Sequence, residues 1–291
     1  MVQTADFLVE IGTEELPPKA LRGLESSFAE HIRTSLNTAG LGFTVLRSFA
    51  TPRRLAVSIE VLDCTQSQQS VEKRGPPLAV AFDAEGKPTR AAQAFAEGCG
   101  VSVESLGRIE TPKGAWLNYR AEVPGQPAQD LLPGIVSDAL AALPIPRRMR
   151  WGDGETEFVR PVHWVVMLLG TEIVHGTILG LPASRHTRGH RFHAPGPIEL
   201  PSASDYAAVL TTNKVIADFA VRRDRVRQLA EAVAVSVSGQ AVIEAELLDE
   251  VTALVEWPVA LTGRFGAEFL RLPEEVLIAT LQGHQRYFPV R

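Results

Sequence analysis

The stretch VHWVVMLLG, Val162–Gly170, is the longest apolar run near a membrane-spanning length in this chain. It falls far short of the ~20 residues that a helix needs to cross a bilayer. It reads instead as a strongly apolar strand inside a globular protein. FLVEI, Phe7–Ile11, is a second short buried strand, closed by Gly12 and Pro17-Pro18. From Lys19 the period changes: Leu21, Leu24, Phe28, Ile32 and Leu36 recur at spacings of three and four, which predicts a helix ended by Gly40. Leu55–Val61 alternates as a half-buried strand does, and Asp63–Pro77 reads as a loop or an edge element. Further helices are expected over Ala91–Ala96, over Asp130–Leu143 (stopped by Pro144 and Pro146), and over Tyr206–Leu210, Phe219–Val233, Leu247–Val255 and Pro273–Gln282. Further strands are expected at Ala115–Ala121, Thr171–Leu179 and Val259–Gly263.

Strands and helices alternate here without a regular βαβ rhythm. That predicts an α+β fold, with mixed sheets and packed helices in two or more subdomains. A chain of 291 residues has room for two domains at roughly 100–200 residues each. The Pro- and Gly-bounded connection Pro144–Asp153 places the boundary, giving an N-terminal α+β region 1–146 and a second region 147–291.

At 45% hydrophobic and 22% charged residues the composition is that of a soluble globular protein. A net charge of −5 argues against a general nucleic-acid coat but leaves room for a local basic patch. Cys64 and Cys99 are too few for a four-cysteine zinc site or a disulfide scaffold. The N-terminus lacks a basic segment followed by an apolar core, so no secretory signal is expected. The cytoplasm is the expected compartment, with no membrane partner. Positive charge comes from 24 arginines and 5 lysines, a bias that suits bidentate contacts to phosphate.

Thr187–Pro197, TRGHRFHAPGP, is a dense basic stretch in this acidic chain. His186, His190 and His193 have a spacing that would bind zinc on a helix, the basis for an alternative reading as a histidine-centred metallohydrolase. Gly189 and Pro195 oppose that helix, and Arg188 and Arg191 would set positive charge beside a cation, so no metal ligand is assigned. There is no GxSxG, no HExxH and no Gly-rich phosphate loop, and no catalytic residue is assigned. His163, within an apolar strand, reads as a satisfied core histidine, and His284 as structural. Glu10, Glu14 and Glu15 read as carboxylates at the start of the helix after Pro17.

What remains is arginine in Gly/Pro loops: Arg53 and Arg54; Arg147, Arg148 and Arg150; Arg185, Arg188 and Arg191; and Arg286. Guanidinium forks suit phosphate oxygens, and the neighbouring Trp151, Phe192, Tyr287 and Phe288 can stack on bases or anchor loops. RNA or another polyanion is one reading of these clusters. The other is architecture, with the arginines locked onto carboxylates such as Glu250 or Glu256.

The segments VEIGTEELPPKAL, FATPRRLAV, AFDAEGKPTRAA, PIPRRMRWGD, FVRPVHWVVMLLG, TRGHRFHAPGP, LLDEVTALVEWPVAL and GHQRYFPV resemble, in order and along essentially the whole chain, the beta subunit of the bacterial two-subunit glycyl-tRNA synthetase. The resemblance implies the N-terminal portion of a longer, non-catalytic, tRNA-binding subunit. Its alpha partner would carry the class II active site with ATP and magnesium, leaving no cofactor in this portion. The assembly would be a heterotetramer of two alpha and two beta chains acting on glycine tRNA. Candidate contacts to tRNA or to the alpha subunit are then Arg53, Arg54, Arg147, Arg148, Arg150, Arg188, His190, Arg191 and Arg286. A subunit-interaction module without RNA contact is the remaining alternative.

Overall fold

The computed structural model describes residues 3–67, 69–83, 85–112 and 114–291, with only the backbone given for 69–71 and 123. The fold is α+β, as the mixed periods predict. Strand β1 (Thr4–Thr13) leads into helix α1 (Pro18–Thr38), then β2 (Val45–Thr51) and β3 (Arg54–Asp63). An inserted segment follows with β4 (Gln69–Pro77), α2 (Leu78–Ala81), α3 (Arg90–Gly98), β5 (Gly107–Thr111) and β6 (Gly114–Val123). The chain resumes with α4 (Ala128–Ala141), a hairpin of β7 (Met149–Arg150) and β8 (Glu157–Phe158), and the long β9 (Val162–Leu169). Short strands come next: β10 (Glu172–Ile173), β11 (Thr177–Ile178), β12 (Leu181–Pro182), β13 (His186–Arg188) and β14 (Pro197–Glu199). Helices α5 (Tyr206–Thr212), α6 (Phe219–Ser236), α7 (Ala245–Thr252) and α8 (Glu274–Gly283) complete it.

The boundary expected at 146/147 does not separate compact units. One unit comprises 1–64 with 128–291, and the other is Thr65–Pro127. The reason is strand pairing: β9, from the second half of the chain, lies antiparallel against β1 from the first, with Val9 opposite Met167. The larger unit is organised by a five-stranded antiparallel sheet in the order β10-β9-β1-β3-β2.

Because β1 and β9 sit inside this sheet, both their faces are buried, which is why they read as continuous apolar runs. Phe7, Val9 and Ile11 point to one core, shared with α1 and α4. Leu8 points to the other, with Trp164, Val166 and Leu168 of β9 and with Leu200, Tyr206 and Leu210. Helix α1 buries the expected stripe of Leu21, Leu24, Phe28, Ile32 and Leu36. Each of these side chains contributes about 1.5–3 kcal/mol relative to exposure. Pro17 caps the helix N-terminus and Pro18 occupies its first turn. At the other end the Gly40 amide donates to Asn37 O (3.1 Å) and the Leu41 amide to Leu36 O (3.0 Å), closing the last carbonyls with Gly40 at φ 68°.

The smaller unit is a three-stranded antiparallel sheet in the order β4-β6-β5, with Ala81, Ala92 and Leu117 buried beside Leu78, Phe82 and Phe95. Here Asp63–Pro77 supplies the edge strand β4, although Gln68 lies outside the described residues.

Of two further expected strands, one is absent from the described structure and one is cut short. Val259–Gly263 is irregular, with Val259 70% and Leu261 88% exposed, and no strand pairs with it. Thr171–Leu179 pairs with β9 only through Glu172 and Ile173, then turns away to form its own two-residue hairpin.

Candidate anion-binding site

One end of the central sheet carries a fully buried polar cluster. Glu10 sits in mid-strand, facing away from α1, with no exposed surface. It accepts hydrogen bonds from Tyr206 Oη (2.5 Å), Thr187 Oγ1 (2.6 Å), Trp164 Nε1 and, at 3.4 Å, Arg54 Nη1. Arg54, equally buried, donates through Nε and Nη2 to Glu256 Oε1 at 3.2 and 3.1 Å, and through Nη1 to the carbonyl of Arg188 at 3.0 Å. Thr51 completes the group by donating to Glu256 at 2.7 Å. Burial opposes the charge on Arg54, but Glu256 and Glu10 outweigh it and hold the guanidinium charged above the usual arginine range. Burial drives the Tyr206 phenol well above its ordinary value, and Glu10 adds to that, so the phenol acts as a donor.

Next to this cluster the turn Pro52-Arg53 joins β2 to β3. It is pinned to the tail of β1 by Thr13 N–H to Arg53 O (2.8 Å) and Leu16 N–H to Pro52 O (2.7 Å). Trp164 stands among three arginines: the guanidinium carbons of Arg188, Arg53 and Arg54 lie 5.2, 5.6 and 5.7 Å from its ring centroid. The ring lies flat on Gly12, its cross-strand neighbour. A Cβ at Gly12 would come within 1.8 Å of it.

Beyond Trp164 the basic stretch forms a loop between β13 and β14. His190 organises it: its amide donates to Asn213 O (3.0 Å), and its Nδ1 accepts from the amides of Phe192 (3.2 Å) and His193 (3.3 Å). Burial pushes the His190 imidazole below its usual range. Glu256 opposes this, while His193, Arg53 and Arg54 add to it. Gly189 allows the close turn, since a Cβ there would stand 2.7 Å from the carbonyl of Ala194. Arg191 reaches back to β1's tail, donating to Glu14 Oε2 at 2.9 Å and standing 3.6 Å from Glu15 Oε1. Burial of Glu14 raises its pKa, but Arg191 and His163 outweigh that and hold it below the usual carboxylate range.

Arg53, Arg188 and Arg191, with Gly189, Pro195 and Gly196, enclose a shallow cleft of about 170 Å³. Arg53 is only 8% exposed, and among the described residues its Nε has no hydrogen-bond partner. Burial lowers the Arg53 pKa and so does the charge of Arg191, with Glu256 pulling the other way.

The other candidate residues lie apart from this cleft. Arg147, Arg148 and Arg150 are exposed around the β7–β8 hairpin. Arg148 is bonded to Ala141 O (2.8 Å) and Arg150 to Glu155 (3.2 Å). Arg286 is architectural: at φ 57° it is held by Glu250 (2.8 Å) and by the carbonyl of Gln282. Arg54 is unavailable to any partner, because it is completely buried against two carboxylates.

His163 is not a core histidine: its side chain is on the open side of β9, 2.9 Å from Glu14 Oε1. Nor do the three N-terminal glutamates serve the α1 terminus: Glu10 is the centre of the buried cluster, and Glu14 pairs with His163 and Arg191. Among the described residues no group of His, Cys, Asp and Glu is arranged to hold a metal. Sequence reasoning missed Trp164 and Tyr206, whose apolar surroundings hide that each offers a donor to Glu10.

A family described as glycyl-tRNA synthetase beta subunit matches residues 7–291. The glycine–tRNA ligase beta subunit of Edwardsiella ictaluri is 54% identical over 285 residues, covering 98% of this chain and 41% of that protein. The corresponding proteins of Hahella chejuensis and Yersinia pestis are 53% and 52% identical, with the same coverage. The chain thus spans about two fifths of the length of these relatives. With near-complete coverage at this identity, the chain belongs to the glycyl-tRNA synthetase beta subunit family.

Proposed function

We propose that this chain is the N-terminal part of a beta subunit of glycine–tRNA ligase that binds tRNA and helps assemble the enzyme. In this reading the alpha subunit attaches glycine to its tRNA with ATP and magnesium, in the cytoplasm, within a heterotetramer of two alpha and two beta chains. The family match across residues 7–291 carries the reading. The residues that line the cleft include three arginines and no carboxylate, a set that suits an RNA oxyanion and not a magnesium ion.

The test is retention of glycine tRNA by the chain between about 50 and 200 mM salt. Binding that weakens steeply as salt rises, by the release of counterions from phosphates, is the expected result. The same measurement on the alpha–beta complex guards against a contribution that needs the partner. Absence of tRNA binding by the chain, together with undiminished glycylation by a complex whose beta subunit lacks 1–291, overturns the reading.

A further inference from the structure

We propose that the cleft between Arg53, Arg188 and Arg191 seats one phosphate group of an RNA backbone and reads no base. This rests on the tRNA-binding reading above and names the chemistry of one contact within it. Three arginines line it, and among the described residues two of them, Arg53 and Arg188, make no ion pair. The guanidinium carbon of Arg188 lies 5.2 Å from the Trp164 ring centroid. Arg53 is more than nine-tenths buried at the cleft wall, with its Nε unsatisfied. A buried donor without an acceptor is uncommon in a folded protein; that nitrogen has almost no accessible surface of its own, so an oxyanion in the cleft meets the exposed Arg188 together with Arg53 and Arg191, which line the same cleft.

The cleft is built and not incidental. The Pro52-Arg53 turn is tied to β1, and Arg188 ends strand β13, whose backbone carbonyl is held by Arg54. Its room, about 170 Å³, is below the ~300–1,000 Å³ of pockets that enclose whole small molecules. The aromatic ring behind it is only 7% exposed and is flanked by guanidinium groups, leaving no open face on which a base could stack. A single tetrahedral oxyanion fits both the size and the donors.

Two arms test this, using wild type, Arg188→Met and Arg188→Lys. In the first, thermal unfolding is followed in inorganic phosphate and in chloride at equal ionic strength. Phosphate raises the Tm of wild type and loses most of that effect in Arg188→Met. In the second, tRNA affinity is measured against salt. Arg188→Met lowers the magnitude of the log–log slope by about one, to the same extent for unrelated RNA sequences, and Arg188→Lys restores it. A phosphate effect with an unchanged RNA slope means that the cleft serves a free anion, and overturns the RNA assignment while leaving tRNA binding intact. So does a variant that keeps its RNA slope and instead loses association with the alpha subunit. Absence of tRNA binding by wild type fails the functional reading itself, whereas the phosphate arm still reads the cleft.

Discussion

Arg53 and Arg54 are adjacent in sequence and have opposite fates. Arg54 turns inward, where Glu10, Glu256 and a backbone carbonyl take up its donors. Arg53 lines the cleft with two more arginines, and among the described residues its buried Nε has no acceptor. Both touch the same tryptophan. A buried charge can therefore serve the fold or wait for a ligand. The difference lies in whether a carboxylate comes within hydrogen-bonding distance: Glu10 and Glu256 do so for Arg54, whereas Glu256 and Glu14 act on Arg53 only through their charge.

The inner region should be the more costly to disturb. Glu10→Ala leaves Arg54 short of a counter-charge and strips Tyr206, Thr187 and Trp164 of their acceptor. A loss of about 3–5 kcal/mol in urea unfolding is expected, and a loss under ~1 kcal/mol would erase the contrast between the two regions. Gly12→Ala comes next. The added methyl must displace the Trp164 ring, at a cost of about 1–3 kcal/mol, and it should disturb both regions because they share that ring.

A smaller effect belongs to the cleft's rim. The folded pKa of His190 is lowered, so the stability gained from its neutral ring is complete above the ordinary value of about 6.5 and is lost as pH falls below it. Glu14, also lowered, stabilises above 4.5 and loses that contribution at lower pH still. Replacing His190 by asparagine, which keeps an acceptor, should flatten the upper window only, read as Tm against pH. Smallest of all is Arg188→Met. Without a phosphate present its stability should stay within about ±0.5 kcal/mol of wild type, because the side chain is exposed and has no ionic partner.

The period of apolar residues made α1 and β3 legible, because each buries a regular face, and unbroken apolar runs did the same for β1 and β9, which are buried on both faces. It could not reveal that β1 and β9 are neighbours, since pairing across more than 150 positions leaves no local mark. The division of the chain was misplaced for the same reason: Pro144–Asp153 has the composition of a linker, yet strands on both sides of it share one sheet. Val259–Gly263 has strand-forming residues without a partner strand among those described, and propensity alone does not make a ladder. In the site, the arginines stood out by type, but their roles depended on geometry. Glu250 and Glu256 were among the carboxylates that could hold arginines, and they hold Arg286 and Arg54. Nothing local to Arg53 marks its Nε as left without an acceptor among the described residues.

The insertion between β3 and α4 has its two ends side by side. Thr65 bridges to Pro127 within the smaller unit, while the Ala128 amide donates to the Cys64 carbonyl (2.8 Å) in the larger one. For the larger unit, the whole of Thr65–Pro127 is therefore a detour that returns to its starting point. Loop-closure entropy rises only slowly with length, so a junction of this kind tolerates exchange of what it carries. Evolution, or a protein engineer, could shorten, replace or remove that cassette through one short splice without re-registering a strand of the five-stranded sheet.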